Sequence, residues 1–220
     1  MPVYIVTGDG PRCGSSMMMQ ALHAGGMKIA FSPSENTEAE QRHQRTGYDA
    51  NPGGRFEVAR GLIDPYNFPK TLQGAAVKCL CWPHTPFGWG LFRYPPFEAL
   101  TTRPDMTFDY RVVWLHRPAA ARWASWRKSS EELLFNHVPV TQELQAFRDA
   151  CANLVLGVLK DKPERLLEWD YDAIIDDPRP VFDALVGKGW PIDPQKAAAV
   201  VNPKWRRFSS SPRAGLTAAL

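Results

Sequence analysis

The residues best suited to chemistry lie at the start of the chain. Tyr4, Ile5, Val6 and Thr7 form a short β-prone run, followed by Gly8, Asp9, Gly10, Pro11, Arg12, Cys13, Gly14, Ser15 and Ser16, and then three methionines. Strand, glycine-punctuated turn and helix start, in that order, aim loop amides and the positive end of a helix dipole at one spot. Gly8, Gly10 and Gly14 permit positive φ and close approach to the backbone. Arg12 adds a planar charge, and Ser15 and Ser16 add hydroxyl donors. The stretch reads as a cradle for a phosphate or sulfate group. Arg12 is expected to be an exposed loop arginine that carries little of the fold.

A second basic cluster follows the run 110–116. Where a magnesium-dependent nucleotide enzyme places an aspartate for its metal, this chain has His116-Arg117, which suits an anion held without metal. Pro118 opens a helix, a position where proline is tolerated. Ser125, eight residues after Arg117, then falls about two turns along on the same side. Arg117 and Ser125 can reach one phosphate.

The loop differs from the nucleoside-triphosphatase form, which has four residues between two glycines and a lysine directly after the second. Here Ser15 follows Gly14, and the cation is Arg12. Pro11-Arg12-Cys13-Gly14-Ser15-Ser16 resembles the 5′-phosphosulfate loop of sulfotransferases, with Cys13 where that family mostly has serine. Arg117-x-Pro followed by Ser125 resembles their 3′-phosphate motif. Asp170-Tyr171-Asp172 through Asp177-Pro178 is similar to the stretch after their last sheet strand, and the resemblance implies that Tyr171 lies by an adenine. Asn202 through Arg207 is loosely similar to their basic C-terminal segment, implying a 3′-phosphate role for Arg206 and Arg207. Small bacterial sulfotransferase-like proteins share further pieces, with counterparts here at 17–26, 51–57 and 200–207. The likeness spans about 5 to 207 in order, and it is least recognisable over the aromatic insert 82–97.

That resemblance implies a three-layer α/β/α fold with a central parallel sheet, the P-loop NTPase-like sulfotransferase fold. The implied activity is metal-independent sulfuryl transfer from 3′-phosphoadenosine 5′-phosphosulfate (PAPS), leaving adenosine 3′,5′-bisphosphate (PAP). The acceptor would be a small molecule or peptide carrying a hydroxyl or amine. Arg12 and the loop amides would stabilise the leaving phosphate. Lys78, where the family keeps a strand lysine, would assist. Cytosolic members place a base two residues beyond that lysine, but Leu80 stands there and cannot take a proton. His84 and Glu57 are the substitutes: an imidazole suits base work near neutrality, and other branches use a glutamate from the region after the loop helix. Glu57 is favoured, because its segment belongs to the likeness. Two alternatives stay open: a non-catalytic nucleotide-binding protein of the same fold and, less favoured, a small-molecule kinase with a degenerate loop.

Composition sets the frame for these elements. The 220 residues, 44% hydrophobic and 22% charged, can build one soluble domain with a full core. A formal charge of +3 gives no case for nucleic acid. Four cysteines, Cys13, Cys79, Cys81 and Cys151, have neither metal-ligand spacing nor a disulfide framework. No segment has the length of a membrane span, and the first strand begins at once, so the expected setting is cytoplasmic without a signal peptide. One domain is expected over 1–208, with a flexible tail over 209–220.

The first helix should run from Met17 to Ala24 and end at Gly25-Gly26, with a short strand over 27–31. Strands are expected over 75–81, 110–116 and 165–170. A helix over 141–159 should bury Leu144, Phe147, Cys151, Leu154, Val155 and Val158, which recur at helical spacing. Two short helices should follow the last strand, the second opened by Asp193-Pro194. Alternating strands and helices imply a parallel sheet covered on both faces.

Overall fold

The computed structural model describes residues 1–10, 12–30, 72–79, 109–132 and 141–205, the side chains of 129–132, 144 and 205 excepted. Pro11, Glu57, His84, Arg206, Arg207, the insert 82–97 and the tail 209–220 lie outside the described residues.

The strands are β1 (Val3–Gly8), β2 (Lys28–Ile29), β3 (Ala75–Lys78), β4 (Tyr110–His116) and β5 (Leu166–Asp170). They form one sheet in the order β2-β3-β1-β4-β5. Every pairing is parallel, with Ile5 opposite Val77 on one side and Val112 on the other. The sheet is therefore the parallel α/β arrangement that alternating elements predict.

Six helices are described: α1 (Ser15–Ala24), α2 (Ala119–Glu132), α3 (Gln142–Lys160), α4 (Tyr171–Asp176), α5 (Arg179–Gly187) and α6 (Pro194–Ala199). Strand β1 is buried along its whole length, so it needs apolar residues on both faces. Tyr4 and Val6 join the core under α1, α4, α5 and α6, with Met18, Leu22, Phe182 and Leu185. Val3 and Ile5 point the other way, into the core with Trp114, Ala152, Leu156 and Leu159. This is the two-residue alternation of a strand, read on both sides.

Two expectations change. The short helices after β5 number three, because Pro178 stands at the N-cap of a separate helix, α5. Asp193 does cap α6, accepting from the amides of Gln195 and Lys196. Helix α3 is rotated away from its expected buried face. Arg148, Ala152, Leu156 and Leu159 are inside, while Phe147, Leu154 and Val158 are exposed. Arg148 explains part of that rotation, since its guanidinium lies 3.9 Å over the Trp126 ring of α2.

Candidate anion site

The site lies at the carboxyl ends of β1, β3 and β4. Strand β1 leads through α1 to one side of the sheet, and β4 leads through α2 and α3 to the other, so the chain diverges between β1 and β4. Crevices at such points are where open parallel sheets bind ligands.

The loop from β1 to α1 alternates hands. Gly10, Arg12 and Gly14 have φ of 126°, 69° and 102°. Such alternation turns successive amides toward one concavity. Gly14 is required twice over: its φ is positive, and an added Cβ would lie 2.2 Å from Cδ2 of Tyr171. Gly8 is needed for space rather than for positive φ, because a Cβ there would meet the Leu115 carbonyl at 2.3 Å. Gly14 caps α1 without a side-chain hydrogen bond, and the first turn has no acidic residue. No carboxylate or hydroxyl at the N-cap competes for the leading amides of α1, and the Cys13 thiol lies against that of Ser15.

Arg12 is the hub. Its Nε donates to Ser125 Oγ at 3.0 Å, and its carbonyl accepts from Arg117 Nη1 at 2.8 Å. The two residues expected to share a phosphate are therefore brought together, through Arg12. The expectation of an exposed, structurally idle Arg12 is corrected: it is half-buried, in the left-handed region, and tied to α2. On the far side of the loop, Lys78 Nζ lies 3.3 Å from Ser16 Oγ, and Lys78 is buried.

Cys13 packs into the core, fully buried, and burial raises its thiol above the ordinary value. Its thiol lies against the amide and hydroxyl of Ser15, which partly offset the effect of burial. Tyr171 is also buried, its ring against Gly14 and under the Arg117 guanidinium, 4.4 Å from Cζ to centroid. From there its visible work is to back the loop. Burial pulls the Arg117 pKa down, opposed by Tyr171 and Asp172.

His116 does not offer its charge to a ligand, contrary to the reading of His116-Arg117 as a basic pair. Nδ1 lies 3.1 Å from Asp9 Oδ1, and Nε2 lies 2.9 Å from Glu168 Oε2. A neutral imidazole has one N–H and cannot donate to both, so the geometry calls for the imidazolium. Its pKa is raised accordingly, chiefly by the hydrogen bond to Asp9, against the opposing effect of burial.

Two residues of the site escaped the sequence reading. Asp9 accepts from Trp114 Nε1 at 2.9 Å and from the Arg117 amide at 2.9 Å, besides facing His116. Burial pushes its pKa up, but these bonds outweigh that and hold it below the ordinary value. The signal was there: a carboxylate between two loop glycines is out of place in an anion cradle unless donors neutralise it. Arg122 donates through Nε to the Arg117 carbonyl and through Nη2 to Asp149 Oδ1, each at 2.9 Å. A Cβ on Gly10 would lie 3.3 Å from its Nη1. Its spacing of three from Ser125 puts both on one face of α2. Beside these groups opens a cavity of about 420 Å³, lined by Asp9, His116, Arg117, Arg122, Asp149 and Asp170 among others.

The fold and site define a parallel α/β protein with a strand–loop–helix cradle suited to anions. No family model matches the chain, and no curated protein matches it. Among solved structures it is similar to the sulfotransferase domain from the Synechococcus PCC 7002 olefin synthase, with 15% identity, 97% of this chain and 90% of that chain covered, and a TM-score of 0.46. A likeness of that degree carries no argument about activity. Among the described residues, no helix is long and apolar enough to cross a membrane.

Proposed function

We propose that the chain is a sulfotransferase that takes a sulfuryl group from PAPS to a hydroxyl or amine. One observation carries the reading: Arg12 of the loop, Ser125 and Arg117 form a single hydrogen-bonded unit. Two anion-binding elements far apart in sequence thus meet, as a nucleotide with phosphates at both its 5′ and 3′ positions requires. The fit also rests on Asp9. The carboxylate nearest the cradle is occupied by three donors, and does not oppose an anion.

When bound, PAPS supplies the transferable sulfuryl group. The loop residues Gly10, Cys13 and Gly14 contribute backbone amides, Pro11, which has no N–H, contributes only its fixed φ, and Ser15 and Ser16 contribute hydroxyls and amides, to hold the 5′ end. Arg12 and Lys78 place positive charge where negative charge grows on the leaving oxygen. Arg117 and Ser125, with Arg206 and Arg207, hold the 3′-phosphate, and Tyr171 borders the nucleoside from behind Gly14. Glu57 removes the acceptor's proton, with His84 as its rival.

Calorimetry with PAP, AMP and ATP, with and without a chelator, tests the cofactor half of this reading. PAP should bind more tightly than AMP, and chelation should change nothing. Tighter, magnesium-dependent ATP binding would restore the kinase alternative. An acceptor screen with labelled PAPS then separates transfer from binding alone.

A further inference from the structure

The proton that His116 holds between two carboxylates has no part in the transfer reaction. His116 closes β4, Asp9 follows β1, and Glu168 lies on β5. The ring stands 3.1 Å from Asp9 Oδ1 and 2.9 Å from Glu168 Oε2. Only the imidazolium donates to both; the neutral ring leaves one carboxylate facing a nitrogen lone pair. The side chain is 35% exposed, so it exchanges that proton with water.

Asp9 passes the state of that proton to the loop. It lies three residues before Arg12, and its Oδ2 accepts from the Arg117 amide. Arg117 in turn donates from Nη1 to the Arg12 carbonyl. The other two donors to Asp9, the Trp114 indole and the Arg117 amide, are neutral. His116 is therefore its one charged hydrogen-bond partner among the described residues. The charged groups around the ring are engaged with one another. Lys160 of α3 lies 3.3 Å from Glu168 Oε2, and Arg122 of α2 lies 2.9 Å from Asp149 of α3. Asp170, at the end of β5, caps α4, and Asp172 of α4 acts on Arg117. Loss of the His116 proton adds one negative charge to this cluster, at the root of the cradle, where it opposes an anion.

We propose that His116 is a positioning residue for the anion site: its protonated ring balances Asp9, so the proton and the bound anion favour each other. The coupling rests on the proposed function only in taking the loop as an anion cradle. Anion affinity is then greatest below the folded His116 pKa and falls as pH rises through it. Because the two carboxylates raise that pKa, the fall comes above the ordinary 6.5.

Sulfate is the probe, because it keeps its charge across neutral and alkaline pH and needs no nucleotide pocket. Its affinity, measured by calorimetry at constant ionic strength, should fall at least about threefold as pH rises through the His116 titration. In an NMR titration of the wild type, near-saturating sulfate should raise the His116 pKa by about half a unit or more, the reciprocal of the same coupling. His116→Gln identifies the resonance and should make sulfate affinity nearly independent of pH. Arg12→Ala should remove the sulfate-induced shift, because the anion loses its loop cation. A His116 that titrates at the same pH with and without sulfate overturns the proposal. So do equal pH slopes in wild type and His116→Gln, a shift that survives Arg12→Ala, or no sulfate binding at any pH. PAP that binds no more tightly than AMP, with the sulfate coupling intact, would remove the PAPS reading and leave this coupling standing.

Discussion

Asp9→Ala removes the carboxylate that ties the anion loop to the end of β4. Its partners are the Trp114 indole and the Arg117 amide, both buried, and the half-buried His116 ring. Stranding a buried donor costs about 1–3 kcal/mol. Two such donors give roughly 2–6 kcal/mol, and water entering the adjacent cavity brings the expectation to the lower half, about 2–4 kcal/mol. His116 adds little, being solvated enough to find another partner. A loss of that size is a large share of the roughly 5–15 kcal/mol of an ordinary domain. In urea, with m of about 2–3 kcal/mol/M, the midpoint should fall by roughly 1 M. Asp9→Asn keeps one acceptor oxygen but turns an NH₂ toward donors, so it should fall between. Bisphosphate affinity, measured where the variant is still folded, should drop with it, because the Arg117 amide is no longer fixed. An Asp9→Ala midpoint within error of wild type would falsify the role given to this carboxylate.

Stability should also depend on pH through the same cluster. The folded His116 pKa lies above its ordinary 6.5, so its contribution is complete below about 6.5 and is lost as pH rises through the folded value. The folded Asp9 pKa lies below its ordinary 3.8, so its contribution is present above about 3.8 and is lost as pH falls through the folded value. Urea midpoints across pH should show the alkaline decline in wild type and a flatter one in His116→Gln; equal slopes would count against the pairing. Arg117→Ala should abolish the preference for PAP over AMP, worth about 1.5–3 kcal/mol, by calorimetry. Arg12→Ala should cut transfer and also lower the melting temperature, because Ser125 loses the Arg12 guanidinium, while the carbonyl that accepts from Arg117 remains; unchanged melting would mean that the bond to Ser125 contributes nothing. Glu57→Gln should abolish turnover with cofactor affinity kept within a factor of about two, and His84→Asn should be milder; the opposite order would assign the base to His84.

The loop and the clearest strand were legible because local chemistry fixes them. Gly14-Ser15-Ser16 can open a helix, and Tyr110–His116 is an apolar run that suits a buried strand and little else. The Asp193-Pro194 start of α6 was readable for the same reason, a carboxylate cap followed by a fixed φ. What could not be read was rotation and partnership. The apolar positions of α3 are spread widely enough around the helix that periodicity alone does not choose the buried side. Part of the choice comes from Arg148 meeting Trp126, a contact 22 residues apart that no window contains. His116 read as a free cation because Asp9 and Glu168 lie 107 and 52 residues away.

The same long-range partnerships explain how the site can act as a unit. Arg12 occupies a backbone conformation that costs a non-glycine residue about 1–2 kcal/mol. The bond from Arg117 to the Arg12 carbonyl fixes that strained peptide, and the bond from Arg12 to Ser125 fixes the side chain. Arg117 is itself held at its amide by Asp9 and at its carbonyl by Arg122. The guanidinium of Arg12 is held on α2 through Ser125, and its carbonyl on the β4–α2 turn through Arg117, so the loop is tied to both. On the proposed reading, an anion drawn to either element would meet a cradle whose shape is set by the other.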